Sequence, residues 1–353
     1  MSKMLEEIRQ QPIALERTLR GELREAARLR SHFEKQRPRL ILLAARGTSD
    51  NACRFGRYWL EITTGIPVSL AAPSIYTLYR SKVDFRDMLV VAISQSGEST
   101  DTNVVLEQAR AAGAFTIGIT NERTSSMAGL AEAVFHVRAG REKSVAATKT
   151  YTGQLMALYL LAWALGARIH LDDLKALPDA AGAALKLESE IARRAERFRF
   201  VDRAAVVGRG LNYSNAFEFA LKLMETCYVV TGRFSSADLL HGPIAMVESS
   251  FPVFLFGPSG VTWPSTREML EKLRLLKAES MLITDRSNPG AASFAGSAIC
   301  LPLKLSRKSR EPEELYTPIP YIVPAQLFAA CLAEVKGINP DRPRTLTKVT
   351  RTM

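Results

Sequence analysis

Cysteine is scarce in this chain of 353 residues: Cys53, Cys227, Cys300 and Cys331 are all there are, and no two share CxxC spacing. That speaks against a disulfide framework and against a cysteine zinc site. Histidine is as rare, at His32, His136, His170 and His241. No cluster of ligating residues is visible, so neither a metal nor another cofactor is expected. Long apolar runs are missing too: Leu155 to Leu165 is well short of the roughly 20 residues a membrane helix needs. The start, Met1-Ser2-Lys3-Met4-Leu5-Glu6-Glu7, has acidic residues and no apolar signal-peptide core. A cytoplasmic protein with no membrane partner is the default expectation. The net charge of +11 fits an anionic small molecule or nucleic acid. Basic residues are scattered, however, and no aromatic-interleaved stripe appears, so the charge reads as solubility and substrate steering, with nucleic acid not expected. The remaining composition, 47% hydrophobic and 24% charged, is that of a globular chain of one large or two medium domains.

The strongest local signal runs from Leu89 to Thr102. Leu89-Val90-Val91-Ala92-Ile93 reads as a short strand buried on both faces. It stops at Ser94-Gln95-Ser96-Gly97-Glu98-Ser99, and helical spacing follows from about Asp101. A strand, a small polar turn and a helix N-terminus make an anion site, because the first helical N–H groups are unpaired and the helix dipole favours negative charge there. Ser94, Gln95, Ser96 and Ser99 add side-chain donors, and Gly97 lets the backbone come close to a ligand. The plainer alternative is a βα turn whose hydroxyls merely cap the helix. Four donors around one glycine favour phosphate.

Elsewhere strands and helices alternate. Helical spacing covers residues 3 to about 36, with Pro12 separating a short helix from a longer one. Arg39 to Ala45 reads as a buried strand, followed by Arg46-Gly47-Thr48-Ser49 and a helix from about Ala52 to Thr64. Further strands are expected at Val68 to Ala71, Phe115 to Asn121 and Ala133 to Val137, then a long apolar helix from Tyr151 to about Ala167. Residues 172 to about 198 read as one or two connecting helices. This alternation predicts an α/β fold with a doubly wound, mostly parallel sheet. A second series opens near Phe200 and repeats the first. Ala45-Arg46-Gly47 returns as Gly208-Arg209-Gly210 and Ser96-Gly97 as Ser259-Gly260, both at an offset of 163. Asn51-Ala52 returns as Asn215-Ala216 and Ile119-Thr120-Asn121 as Ile283-Thr284-Asp285, both at 164. A constant offset along a whole domain is a tandem duplication. The second copy lacks the serine cluster, so only the first looks able to hold phosphate well.

Candidate chemistry outside that loop is sparser. Lys222 and Glu225 lie three apart on one helical face, which alone describes a solvated ion pair as well as a catalytic one. His241 stands in Leu239-Leu240-His241-Gly242-Pro243, an irregular turn where a hydrogen-bonded structural role competes with a functional one. His136, at a strand end, reads as structural. In the tail, Lys348 between Leu346 and Val349 could dock over a site, where a lysine that loses its proton can attack a carbonyl.

Six motifs in order resemble the sugar isomerase (SIS) family over nearly the whole chain: Gly47-Thr48-Ser49, Ser94-Gln95-Ser96-Gly97-Glu98, Val145-Ala146-Ala147-Thr148-Lys149, Ala220 to Glu225, His241-Gly242-Pro243 and the tail lysine. The likeness is to the isomerase half of glucosamine-6-phosphate synthases. It implies two tandem SIS subdomains, each a three-layer αβα unit: a helical segment over 1–36, a phosphate-binding domain over 37–168, a connector over 169–199, a second domain over 200–335, and a tail over 336–353 closing the active site. It also implies a homodimer with the active site near the subunit interface. By resemblance, Ser94, Gln95, Ser96 and Ser99 hold a sugar 6-phosphate, while Thr48, Ser49, Val145 and Ala147 occupy sugar-contacting positions. Glu225 is then the base between C1 and C2, Lys222 stabilises developing charge, His241 opens the ring from the other subunit, and Lys348 faces the carbonyl carbon.

Departures from the synthases point to a subfamily. A glutaminase domain with an N-terminal cysteine is expected to be absent, since residue 2 is serine and only about 36 residues precede the first sugar domain. Arg46 replaces a small residue or cysteine, and Ala147 replaces a serine. Ala139 to Lys149 and the end from Ile338 to Thr350 look most like SIS-type glucosamine-6-phosphate deaminases. The expected partner is therefore a phosphorylated amino sugar or ketose phosphate, and the expected reaction forms fructose 6-phosphate and ammonia from glucosamine 6-phosphate. A fructosamine-6-phosphate deglycase, a plain phosphosugar isomerase and a non-catalytic phosphosugar sensor remain as alternatives, since fold alone does not settle function.

Overall fold

A computed structural model of the chain describes residues 2–303 and 313–345. Helices α1 (Lys3–Arg9) and α2 (Gln11–Phe33) divide beside Pro12, which sits in the first turn of α2, where a missing N–H costs no helix bond. Strand β1 (Leu40–Ala44) then leads into α3 (Thr48–Thr64). This helix starts well before the expected Ala52. Gly47 at φ 58° turns the chain into the helix at once, so Thr48 and Ser49 belong to its first turn. The first series continues with β2 (Val68–Leu70), α4 (Ser74–Thr77), β3 (Met88–Ser94), α5 (Thr100–Ala111), β4 (Phe115–Thr120), α6 (Ser126–Leu130) and β5 (Ala133–His136).

Helix α7 (Lys149–Ala164) is buried nearly all round, as expected of a helix without a polar face. It ends short of Ala167 because Gly166 adopts φ 89° and closes the last turn, with the Ala167 N–H donating to the Ala162 carbonyl. The connector is three helices rather than one or two: α8 (Leu171–Lys175), α9 (Leu177–Leu185) and α10 (Glu188–Arg197). Pro178 lacks the N–H that would continue α8 and instead sits in the first turn of α9.

The second series holds β6 (Arg203–Val207), α11 (Tyr213–Cys227), β7 (Val230–Phe234), α12 (Ser236–Leu240), β8 (Pro252–Phe256), α13 (Trp263–Leu275), β9 (Glu279–Asp285) and β10 (Ser297–Leu301), followed by α14 (Pro318–Val335). Both sheets have five parallel strands, in the orders β2-β1-β3-β4-β5 and β7-β6-β8-β9-β10. The shared order is the duplication read from the sequence, now as topology. Every interior strand is buried on both faces, which is why the strands lack alternation.

The described chain divides into two compact units. One contains residues Ile13–Glu142 and Lys149–Lys175; the other contains the residues up to Pro12, Lys143–Thr148 and Ala176–Thr345. In the first, Phe55 and Trp59 of α3 meet Tyr159 of α7 at ring-centroid distances of 5.1 and 4.5 Å. In the second, Phe328 of α14 meets Phe254 of β8 at 5.2 Å and Phe198 at 5.5 Å. Burying each such side chain contributes about 1.5–3 kcal/mol. The expectation that no stretch could span a membrane needs one correction. Helix α14 is long and apolar enough by length and composition, with mean hydropathy 1.4, yet 89% of it is buried inside the protein, against α9, α10 and α11.

Candidate functional site

In each sheet the chain leaves the first strand toward one edge and returns to the third strand on the other side. The crevice at the carboxyl ends of those two strands is where such sheets bind ligands. In the first sheet it is flanked by the loop after β1, Arg46 and Gly47, and by Gln95 to Ser99 after β3. Ser94 and Ser96 each turn a hydroxyl oxygen inward: Ser94 Oγ accepts the Gly97 N–H at 3.1 Å and Ser96 Oγ accepts the Glu98 N–H at 3.2 Å. A hydroxyl that accepts from its own loop still has its proton to donate outward. Gly97 takes φ 68°, and a Cβ there would lie 2.2 Å from Ser125 Oγ, so the loop closes this tightly only with glycine.

The N-cap of α5 separates the two readings of this turn. Ser99 holds the N-cap position of α5 but makes no capping bond; its hydroxyl pairs with Thr102 Oγ1 at 3.0 Å instead. In α1, α6 and α12 the N-cap serines Ser2, Ser125 and Ser235 do accept from the helix backbone. The serines at α5 therefore shape the loop rather than cap the helix.

Arg46 reaches from the β1 loop to Asp101 in the first turn of α5, with Nε and Nη2 donating to Oδ2 at 3.1 and 2.7 Å. Asp101 is 2% exposed and Arg46 half exposed, so a guanidinium stands at the mouth of the crevice. A hollow of about 340 Å³ adjoins it, lined by Arg46, Gly47, Asp50, Arg54 and Ser74 among others. A larger one of about 490 Å³, bordered by His32, Asp87 and Phe115, lies at the amino ends of β3 and β4, away from the carboxyl ends that carry ligand sites. Thr48 is half-buried, and buried Ser49 accepts a hydrogen bond from Gln154 Nε2 at 2.9 Å.

In the second unit, α11 carries a buried triad. Lys222 Nζ lies 2.7 Å from Glu225 Oε2 and 3.3 Å from Glu218 Oε1. Lys222 and Glu218 are fully buried, while Glu225 keeps 23% of its side chain exposed. Burial alone would push the lysine down, but the two carboxylates outweigh it and hold it above the ordinary lysine range. The ammonium is thus fixed, and the carboxylate that remains reachable is Glu225. Its repeat counterpart, Glu61, instead accepts the Val68 N–H at 2.8 Å and braces β2.

The other sequence-derived positions fall as follows. Val145 and Ala147 are half-buried in the segment before α7, whose Lys143 and Ser144 amides donate to Glu7. His241 is the exposed C-cap of α12. His136 ends β5, and burial lowers its pKa. Lys348 lies outside the described residues. Sequence reasoning missed Asp101 and Glu218. Glu218 was readable from its i,i+4 spacing to Lys222; Asp101 offered only an acidic residue in a first helical turn. Among the described residues, no three His, Cys, Asp or Glu side chains converge as a metal site needs.

Comparison with known proteins bears on both sheets. The SIS domain family matches residues 34–164 and again 198–329. A glutamine–fructose-6-phosphate aminotransferase (isomerizing) of Pyrococcus horikoshii is 35% identical over 352 residues; the match covers 98% of this chain and 57% of that protein, so the chain spans little more than half the relative's length. The C-terminal domain of glucosamine-fructose-6-phosphate aminotransferase from Francisella tularensis superposes with a TM-score of 0.87 at 29% identity, covering 97% of this chain and 98% of that one. A glucosamine-6-phosphate deaminase of Thermotoga maritima shares the fold, with a TM-score of 0.72 at 20% identity, over 95% of this chain and all of its own. Two matched stretches on two sheets of identical order establish that the chain belongs to the SIS domain family and carries that domain twice.

Proposed function

We propose that the chain binds a phosphorylated sugar at the β3–α5 loop and catalyses aldose–ketose proton transfer on it, with glucosamine 6-phosphate as substrate and fructose 6-phosphate and ammonia as products. The observation that carries this reading is the uncapped start of α5 beside the Ser94 and Ser96 hydroxyls. It supplies backbone and side-chain donors where a phosphate gains most from them. The buried Lys222 beside the accessible Glu225 supports the chemical half.

In the proposed sequence, Gln95 and Ser99 join the two serines on the 6-phosphate, Thr48, Ser49, Val145 and Ala147 border the sugar, and His241 assists ring opening. Glu225 takes the C2 proton of the open aldose and returns it at C1, so the C2 amine becomes an imine. Water adds to that imine and ammonia leaves, giving the ketose. Lys222 stabilises the negative charge that develops on the enaminol oxygen. Lys348 is assigned to the carbonyl by family resemblance alone, as are a homodimer and an active site near its interface; light scattering tests the dimer.

The deaminase direction rests on Arg46 and Ala147, which stand where the synthases carry other residues, and on the likeness of residues 139–149 and 338–350 to deaminases. Phosphosugar isomerisation without loss of nitrogen uses the same Glu225 step and is the second reading. The test is ammonia and fructose 6-phosphate formation from glucosamine 6-phosphate without glutamine. Turnover is expected, and Glu225→Gln should lower kcat by at least about 10²-fold while the phosphosugar still binds. Undiminished turnover in that variant removes Glu225 from the mechanism. Binding without ammonia release overturns the deaminase and directs the search to ketose phosphates and fructosamine 6-phosphates.

A further inference from the structure

The second repeat answers what became of its own phosphate loop. At the constant offset of 163, Gly47, Gly97 and Ser99 correspond to Gly210, Gly260 and Thr262. These three residues surround the carboxylate of Glu314, which is 3% exposed. Thr262 donates to it twice, from Oγ1 at 2.5 Å and from its backbone N–H at 3.2 Å, and the Val261 N–H donates as well. Gly210 and Gly260 both take positive φ, 58° and 136°, and a Cβ on Gly260 would sit 2.2 Å from Glu314 Oε2. The carboxylate comes from the short turn Glu313–Tyr316 ahead of α14. That turn is pinned where Asn212 donates to Thr317 Oγ1 and Asn215 to the Pro318 carbonyl, each at 2.9 Å.

We propose that the second repeat retains an anion cradle and that Glu314 fills it as a resident carboxylate, so that removing Glu314 uncovers a second site for inorganic phosphate or a phosphate monoester. The loop has fewer hydroxyls than its counterpart but keeps Ser259, the Thr262 hydroxyl and a helix start at Trp263, and the chain supplies the anion itself. Burial raises the Glu314 carboxyl above its ordinary range, and the Thr262 and Val261 donors offset part of that shift. Arg209 stands at the position of Arg46, and Pro264 replaces Asp101 at the same offset, which leaves that guanidinium without the matching carboxylate. An incoming phosphate would meet the Thr262 hydroxyl and the Thr262 and Val261 amides that now hold the carboxylate.

The experiment is calorimetric titration of the full chain with inorganic phosphate. Glu314→Ala should bind one more phosphate per chain than the wild type, and Glu314→Gln, which keeps the cradle filled, should match the wild type. Thr262→Val added to Glu314→Ala should weaken the extra site about tenfold. Equal stoichiometry in wild type and Glu314→Ala overturns the proposal. If Glu314→Ala fails to fold in chloride buffer, refolding with and without phosphate decides: recovery specific to phosphate supports the cradle, and equal failure refutes it. The readout is an increment, so a wild type that binds no phosphate would remove the first-repeat reading and leave this one standing.

Discussion

Lys222→Met removes the cation that faces two carboxylates, and the geometry sets the cost. Its Nζ lies 3.3 Å from Glu218, which is fully buried, and 2.7 Å from Glu225, which water reaches. Breaking a buried pair from one side costs about 3–5 kcal/mol, because a charge stays in the interior. An exposed pair is worth only about 0–1 kcal/mol. Glu225→Gln should therefore lie near the small value and Lys222→Met near the large one. At about 2–4 °C per kcal/mol, the lysine variant should melt roughly 6–20 °C below the wild type by calorimetry. Adding Glu218→Gln takes the stranded charge away and should recover most of the loss, a coupling that a double-mutant cycle isolates. The pH profile adds a sign. Lys222 is held above its ordinary value of 10.5, so its contribution is complete below that pH and is lost only as pH rises through the elevated folded value. The gap between wild type and Lys222→Met should close in strong alkali, as pH rises through the elevated folded value of Lys222. A lysine variant within about 1 kcal/mol of wild type would refute the burial argument.

Three other substitutions probe separate parts of the molecule. Gly97→Ala places a Cβ 2.2 Å from Ser125 Oγ at φ 68°; phosphosugar affinity should fall by about tenfold or more in calorimetry, and unchanged affinity would move the phosphate site elsewhere. Tyr321→Phe removes the hydroxyl that donates to buried Asp285 at 2.5 Å; urea unfolding should show a loss of about 1–3 kcal/mol, and a loss below about 0.5 kcal/mol would make that bond incidental. Arg46→Met takes the guanidinium away from Asp101, which is 2% exposed, so stability should fall by more than the roughly 0–1 kcal/mol of an exposed pair. Its effect should appear in the KM for phosphosugar with kcat kept, and an unchanged KM would reduce Arg46 to a surface partner of Asp101.

Much of this was open to inspection in the chain alone. Buried strands appear as unbroken apolar runs, so β1, β3 and β4 could be placed to within a residue or two. The loop of Ser94 to Ser99 stood out because strand, glycine and helix start are contiguous. The duplication needed only a constant offset, since identical topology preserves spacing between matched residues. Lys222 and Glu225 were paired by helical periodicity, a local rule. Periodicity did not distinguish α14 from a membrane span, because burial against other helices leaves the same apolar composition as burial in lipid.

What tertiary structure decided is every partner that comes from far along the chain. Arg46 meets Asp101 across 55 residues, Thr262 meets Glu314 across 52, and Tyr321 meets Asp285 across 36. Sequence determines which side chains carry charge and which strands run; it does not say which loops share one end of a sheet. Parallel strands with helical crossovers bring loops from distant segments to the same carboxyl edge, and only that assembly seats a guanidinium on one repeat's loop and a carboxylate in the other's.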